Sequence, residues 1–219
     1  MNILLAVDGS DPSFYATQAL AHLPPADKLV VLHVLDVPNP AYPMLAPEVA
    51  QDLFATVERE MREEGKRMIE RGQGGKIVLT ASSGARVIAD QLGAYCASKA
   101  AVEMLMKHMA AELGNYRINV NAILPGVVET GMTGPMLADE KWRRMLVRET
   151  PVGRWGKPQD VAKLVAFLLS DDASYINGEG IMIDGGSTLH GFPRWYGLDY
   201  TKQNECDWDA VVERYPYKP

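Results

Sequence analysis

Short apolar runs alternate with longer two-faced stretches along the chain, and turn-forming residues separate them. Asn2 to Val7 is an apolar run closed by Asp8-Gly9-Ser10, a turn signal that can also cap a helix over about Ser13 to Leu23. Pro24 and Pro25 stop that helix, Lys28 to Val37 is a Val/Leu-rich strand, and Pro38 to Pro47 is a proline-studded loop. A long helix follows from about Pro47 to Glu70. Its apolar positions Val49, Leu53, Val57, Met61 and Met68 recur at nearly every fourth residue, while Glu58, Arg62, Glu63 and Arg67 occupy the other face. Gly72, Gly74 and Gly75 end it.

The alternation continues with a strand from Lys76 to Ala81, a loop to Ala94, a helix from Tyr95 to about Leu113 and a strand from Ile118 to Leu124. After Pro125-Gly126 the pattern predicts an irregular stretch, a helix near Asp139 to Arg148, a helix from Pro158 to Leu169 and a strand from Gly180 to Ile183. Five strands with helical crossovers imply a three-layer α/β sandwich around a mostly parallel sheet. In such folds ligands sit beyond the carboxyl ends of the strands. The 219 residues are expected to form a single compact domain.

Composition narrows the class. Apolar residues make up 47% and charged residues 23%, the balance of an ordinary globular chain. No apolar run approaches a membrane span and no basic leader precedes Asp8, so neither secretion nor membrane insertion is expected. Cys96 and Cys206 are too few for a disulfide framework and lack zinc-ligand spacing, which excludes a metal site on this reading and suits a reducing cytoplasm. The net charge is -6, and residues 1 to 70 hold 11 acids against 5 bases while the rest is balanced. Without clustered Lys and Arg, nucleic acid is excluded as a partner.

The chemically informative group begins at Tyr95-Cys-Ala-Ser-Lys99, where a spacing of four puts a phenol and an ammonium on one helix face. A neighbouring ammonium favours the phenolate, so such a pair can exchange a proton with a carbonyl or alcohol oxygen near neutrality. Isolated pairs of this kind are mostly surface coincidences, and the surroundings decide. Ser82 lies thirteen residues upstream, and downstream come Asn121-Ala-Ile-Leu-Pro125-Gly126, Pro151-Val-Gly-Arg-Trp-Gly156, Pro158-x-Asp160-Val-Ala and Asp184-Gly-Gly186. In this order the motifs make residues 67 to 190 resemble the C-terminal half of the short-chain dehydrogenase/reductase family, which reduces carbonyls or oxidises alcohols with NAD or NADP. The resemblance implies a Rossmann-like fold, Tyr95 as general acid/base, Lys99 lowering its pKa and holding the nicotinamide ribose, and Ser82 bonding the substrate oxygen. It also implies that Pro125, Gly126, Val128 and Thr130 line the nicotinamide side.

Other readings stand beside these. Ser83 could serve in place of Ser82, although the thirteen-residue interval to Tyr95, the usual one in the family that this segment resembles, favours Ser82. Asp184-Gly185-Gly186 reads equally as a structural turn. His108 and His190 are isolated, and Cys96 reads as packed rather than reactive.

The front third departs from that family. Its first turn, Asp8-Gly9-Ser10-Asp11-Pro12-Ser13, replaces the expected glycine-rich turn with one glycine and two carboxylates, which would repel a pyrophosphate. The later Asn-Ala-Gly strand end is missing, and Pro47 to Glu70 contains no asparagine for the family's usual tetrad. Instead residues 1 to 66 resemble the start of a universal stress protein, through Ile3-Leu-Leu-Ala-Val-Asp-Gly-Ser10 and Val30-Val-Leu-His-Val34. That resemblance implies Asp8 beside an adenine nucleotide, with ATP as the alternative cofactor. The phosphate-binding half of that family's site is absent.

Together these features suggest a chimera joined near Gly65 to Arg71, with a flavodoxin-like strand order 2-1-3-4-5 that sets Asp8 opposite Ser82. Three functions remain open: an NAD(P)-dependent oxidoreductase with impaired cofactor binding, a non-catalytic nucleotide-binding module, and a folded chain with no ligand. The first implies a small carbonyl or alcohol substrate. The helices from Pro47 and from Tyr95 lie where family members commonly pair subunits, which implies a homodimer. The tail 191–219, with Trp195, Tyr196, Trp208, Tyr215 and Tyr217, is aromatic enough to pack over the crevice or a neighbouring subunit.

Overall fold

Gly75–Thr80, called β3 here, is a buried run whose side chains alternate between two helical layers, and it anchors the architecture. The computed structural model describes residues 62–89 and 92–189 together with residue 59, and the backbone of the strands at 2–7 and 28–33. Those two strands are β1 (Asn2–Val7) and β2 (Lys28–His33), and after β3 come β4 (Ile118–Pro125) and β5 (Gly180–Ile183). The helices are α1 (Gly93–Leu113), α2 (Gly134–Ala138), α3 (Glu140–Glu149) and α4 (Pro158–Leu169), and residues 62–71 are helical as well. The strands pair in parallel in the order β2-β1-β3-β4-β5.

The core has two halves because a strand's side chains alternate between faces. Ile77 and Leu79 of β3, with Ile118, Val120, Ala122 and Leu124 of β4, meet Met68 and the Met106, Met109, Ala110 and Leu113 face of α1. Val78 and Ile123 point the other way and pack on Val165, Leu168 and Leu169 of α4 and on Ala173. Buried on both faces, β3 and β4 read as near-continuous apolar runs, as parallel strands do. The result is the Rossmann-like α/β arrangement.

Element boundaries differ slightly from the pattern. α1 begins at Gly93 rather than Tyr95, since Cys96 N–H already bonds the Leu92 carbonyl at 2.8 Å. α3 begins at Glu140 because Asp139 is its N-cap, its carboxylate accepting from Lys141 N–H at 2.8 Å. The one-turn helix α2 lies inside the stretch expected to be irregular. The turn from Asp8 to Ser13, the loop 38–47 and the aromatic tail 191–219 lie outside the described residues.

Candidate active site

The carboxyl ends of β3 and β4 and the start of α1 meet at one edge of the sheet. Ser82, two residues beyond β3, has extended backbone and caps the short 3-10 turn Ser83–Ala85, its hydroxyl oxygen accepting from Gly84 N–H at 3.1 Å. Tyr95 lies in the first turn of α1 and Lys99 one turn further on. The Lys99 ammonium is 5.7 Å from the centre of the Tyr95 ring and donates to the carbonyl of Thr80, the last residue of β3, at 3.4 Å. The strand end therefore tethers the lysine beside the tyrosine.

Gly84 lies between the serine turn and the helix. A Cβ at that position would lie 3.5 Å from Ser82 Oγ, 3.4 Å from Tyr95 Cε1 and 3.3 Å from Cys96 Sγ. The Ser82 turn, the edge of the Tyr95 ring and the Cys96 sulfur therefore pack closely around Gly84. Ser82, Tyr95 and Lys99 thus gather at one place. Ser83 is in the 3-10 turn itself, where its carbonyl accepts from Arg86 N–H and Val87 N–H. Cys96 is half-buried against the same turn.

The segment after β4 is held by backbone pairing. Gly126 N–H donates to the Ile183 carbonyl at 3.1 Å, and a Cβ on Gly126 would lie only 2.8 Å from Asp184 Cβ. Val128 forms a bridge with Gly156, which also donates to the Val127 carbonyl and accepts from Glu129 N–H. Thr130 is fixed by Thr133, whose hydroxyl accepts from Thr130 N–H at 2.9 Å and donates to the Val128 carbonyl at 2.6 Å. Pro125, Gly126, Val128 and Thr130 therefore form one braced strand end next to that of β3, which Ala81 N–H joins to the Ile123 carbonyl at 2.9 Å. Asp8 lies outside the described residues.

Three of the sequence motifs are structural. Asp160 receives both guanidinium nitrogens of Arg154, at 2.6 and 3.0 Å, and the Lys157 N–H at 2.8 Å, which binds the Pro151-to-Gly156 segment to the start of α4. The Arg154 contact and the backbone bond hold its carboxyl down at about 2. Asp184 accepts from Gly186 N–H, Thr188 N–H, Thr188 Oγ1 and Ser187 Oγ across a turn in which Gly185 and Gly186 have φ of 64° and 85°. Burial opposes its ionisation, but these four hydrogen bonds prevail and hold its pKa below the usual range. Buried Asn121 donates to the Ile176 carbonyl and accepts from Glu179 N–H, which leads the chain into β5.

The sequence pattern misses Arg86 and Glu103. Arg86 Nε and Nη2 reach the buried Glu103 carboxylate at 2.6 to 3.2 Å, and Nη2 also donates to the Gly180 carbonyl at 3.0 Å. The Arg86 bond, opposed by burial and aided by Lys107, holds Glu103 below the usual carboxylate range. The signal that could have found Glu103 is its position on the buried side of α1, one turn beyond Lys99. Among the described residues no cluster of three or more His, Cys, Asp or Glu could hold a metal, and no helix is long and apolar enough to cross a membrane.

Residues 54–188 match the family model described as enoyl-(acyl carrier protein) reductase. That match spans more than half the chain, which therefore belongs to the short-chain dehydrogenase/reductase family. It also begins ahead of residue 67, where the family-like segment was expected to start.

The chain is 38% identical over 121 residues to an L-rhamnose 1-dehydrogenase (NAD(P)(+)) of a Sphingomonas species, covering 55% of this chain and 48% of the relative. It is 44% identical over 125 residues to an NAD-dependent glycerol dehydrogenase of Listeria innocua, covering 57% of this chain and 48% of the relative. The chain thus spans about half the length of the curated relatives it matches. Among solved structures, a 4-hydroxyisoleucine dehydrogenase mutant complexed with NADH and succinate superposes with a TM-score of 0.72 at 23% identity, over 87% of this chain and 99% of that one. That likeness supports the fold.

Proposed function

We propose that the chain carries the proton-transfer site of an NAD(P)-dependent carbonyl/alcohol oxidoreductase whose cofactor binding is impaired. The observation behind this is the placement of Ser82 and Tyr95 against Gly84, with Lys99 beside the Tyr95 ring, at the carboxyl edge of the sheet. Ser82 accepts from Gly84 N–H, which leaves its own hydroxyl hydrogen to hold a substrate oxygen. The Tyr95 phenol donates the proton that the oxygen needs on reduction and takes it back on oxidation. The Lys99 ammonium, tethered to Thr80, supplies a positive field at the phenol.

The chemistry of this donor set fits the nicotinamide half of the cofactor. Tyr95 and Lys99 would face its ribose, and Pro125, Gly126, Val128 and Thr130 would line the ring, which when bound supplies or accepts hydride. The Asp8-to-Ser13 turn is the source of the impairment, since its two carboxylates oppose the pyrophosphate. The substrate is a small polyol, sugar or related carbonyl, a class favoured by the names of the rhamnose and glycerol dehydrogenases.

The same turn favours a second reading. Asp8-Gly9-Ser10 after β1 is the universal-stress-like feature, and it would serve a non-catalytic nucleotide site with ATP as ligand. On either reading we take residues 1–66 and 67–190 as segments of different descent within one domain built on the 2-1-3-4-5 sheet. The chain acts as a homodimer in the cytoplasm, with the aromatic tail 191–219 against the crevice or the second subunit. Fluorescence titration with NADH, NADPH and ATP tests the choice. Saturable NADH or NADPH binding supports the oxidoreductase, whereas saturation by ATP alone overturns it.

A further inference from the structure

The end of the sheet opposite Ser82 holds a second group of polar side chains. A cavity of about 440 Å³ opens at the amino ends of β3 and β4, within the roughly 300 to 1,000 Å³ typical of small-molecule sites. Lys76, Asn119, Arg117, Gln73, Asp171 and Ser174 are among its lining residues. Lys76 is the unusual one, only 6% exposed. A buried ammonium is costly unless it is paired.

Its pairing is incomplete. Among the described residues Lys76 Nζ makes one hydrogen bond, to Asn119 Oδ1 at 2.9 Å, across the register that sets Lys76 opposite Asn119. Asn119 is fixed in that orientation because its amide nitrogen donates to the Ser174 and Ile176 carbonyls. An ammonium has three N–H donors, so Asn119 meets one of the three. Asp171 is the carboxylate whose charge reaches Lys76, yet it forms no ion pair with it; burial dominates and lowers the lysine's pKa. Arg117 adds a second cation at the rim, its Nη2 bonded to the Gly72 carbonyl at 2.9 Å.

We infer that this cavity binds a small molecule through a phosphate or carboxylate group placed on the Lys76 ammonium, with Arg117 as the outer cation. The oxyanion would accept the two N–H donors that Asn119 does not use. Asp171, on the same rim, weakens the site and restricts it to ligands whose anion reaches the buried lysine. The site is independent of the catalytic reading, being at the other end of the strands.

The test is an NMR titration of the full chain with inorganic phosphate and, separately, acetate, at constant ionic strength. Saturable shifts of the amides of residues 75–76 and 117–119 are expected with one anion or both, and the stronger binder identifies phosphate or carboxylate as the ligand group. Lys76→Met, which keeps the length of the stem, should weaken binding about tenfold or more, the loss expected for a charge-assisted hydrogen bond of roughly 1.5 to 3 kcal/mol. Asp171→Asn, an exposed change, should tighten it. Linear shifts with both anions, shifts confined to Gly126 and Asp184, or an affinity unchanged in Lys76→Met overturn the inference. Should Lys76→Met fail to fold, an affinity unchanged in Asp171→Asn overturns it.

Discussion

Arg86 and Glu103 stand 17 residues apart in the chain and are joined by a forked ion pair, Nη2 lying 2.6 Å and Nε 3.1 Å from the same Oε1. Arg86 closes the turn that begins at Ser82, and Glu103 lies one helical turn beyond Lys99 on α1. The pair therefore locks the serine turn to the helix that carries the tyrosine and lysine. Its third contact, to the Gly180 carbonyl, adds β5 to the clamp.

Removing one partner should cost more than an exposed ion pair is worth. Glu103 is 8% exposed at its side chain while Arg86 is 41% exposed, so solvent screens part of the interaction. Arg86→Gln is expected to destabilise the fold by about 1 to 3 kcal/mol in urea denaturation, chiefly by leaving the buried carboxylate with Lys107 alone. A change below about 0.3 kcal/mol would show that the clamp contributes nothing.

Gly180 leaves little room for a side chain. A Cβ there would lie 2.7 Å from Arg86 Nη2, 2.9 Å from Leu124 Cδ1 and 3.0 Å from Glu103 Oε1. Gly180→Ala is expected to lose about 1 to 3 kcal/mol through overpacking. Gly93→Ala, at the first position of α1 with nothing within 4 Å, should instead be close to neutral, within about 0.5 kcal/mol. Equal thermal shifts in the two variants would refute the packing argument.

Asp160 links stability to pH in a defined window. Its folded pKa of about 2 lies below the ordinary 3.8. The unfolded chain therefore takes up the proton first, and the carboxylate's contribution, complete above the ordinary value, disappears as pH falls through about 2. Asp160→Asn should be less stable than the parent at neutral pH, and the difference should shrink between pH 4 and 2. A difference that stays constant across that interval would contradict the assignment.

Much of this fold is legible in the chain because its elements carry one strong signal each. Pro158 to Leu169 and Gly180 to Ile183 appear in the structure with the expected limits, since Pro158 opens the first and the run Ile181-Met182-Ile183 forms the second. The Tyr95 and Lys99 pair is readable through spacing, because a four-residue step fixes a helix face whatever the tertiary context, whereas Ser82 is read only through the family resemblance. The Arg86–Glu103 clamp and the Lys76–Asn119 pair are not. Each joins residues distant in sequence, and Lys76 looks like a surface charge until the sheet buries it. Helix α2 is hidden because Gly134 and Pro135 read as breakers, although proline is at home in a helix's first turn.

Cofactor affinity should reflect the altered first turn. NADH and NADPH are expected to bind with dissociation constants above the micromolar level, since the glycine turn's backbone donors are lost and Asp8 and Asp11 add like charge. Submicromolar binding by fluorescence titration would overturn this.

The most direct measurement is turnover of Tyr95→Phe against the parent chain, with a panel of small polyols and carbonyls and either nicotinamide cofactor. The substitution keeps the ring that packs over Gly84 and removes only the hydroxyl. Loss of a general acid is expected to lower kcat about 100-fold or more with the melting temperature unchanged. Turnover within about threefold of the parent would show that Tyr95 is not the proton donor.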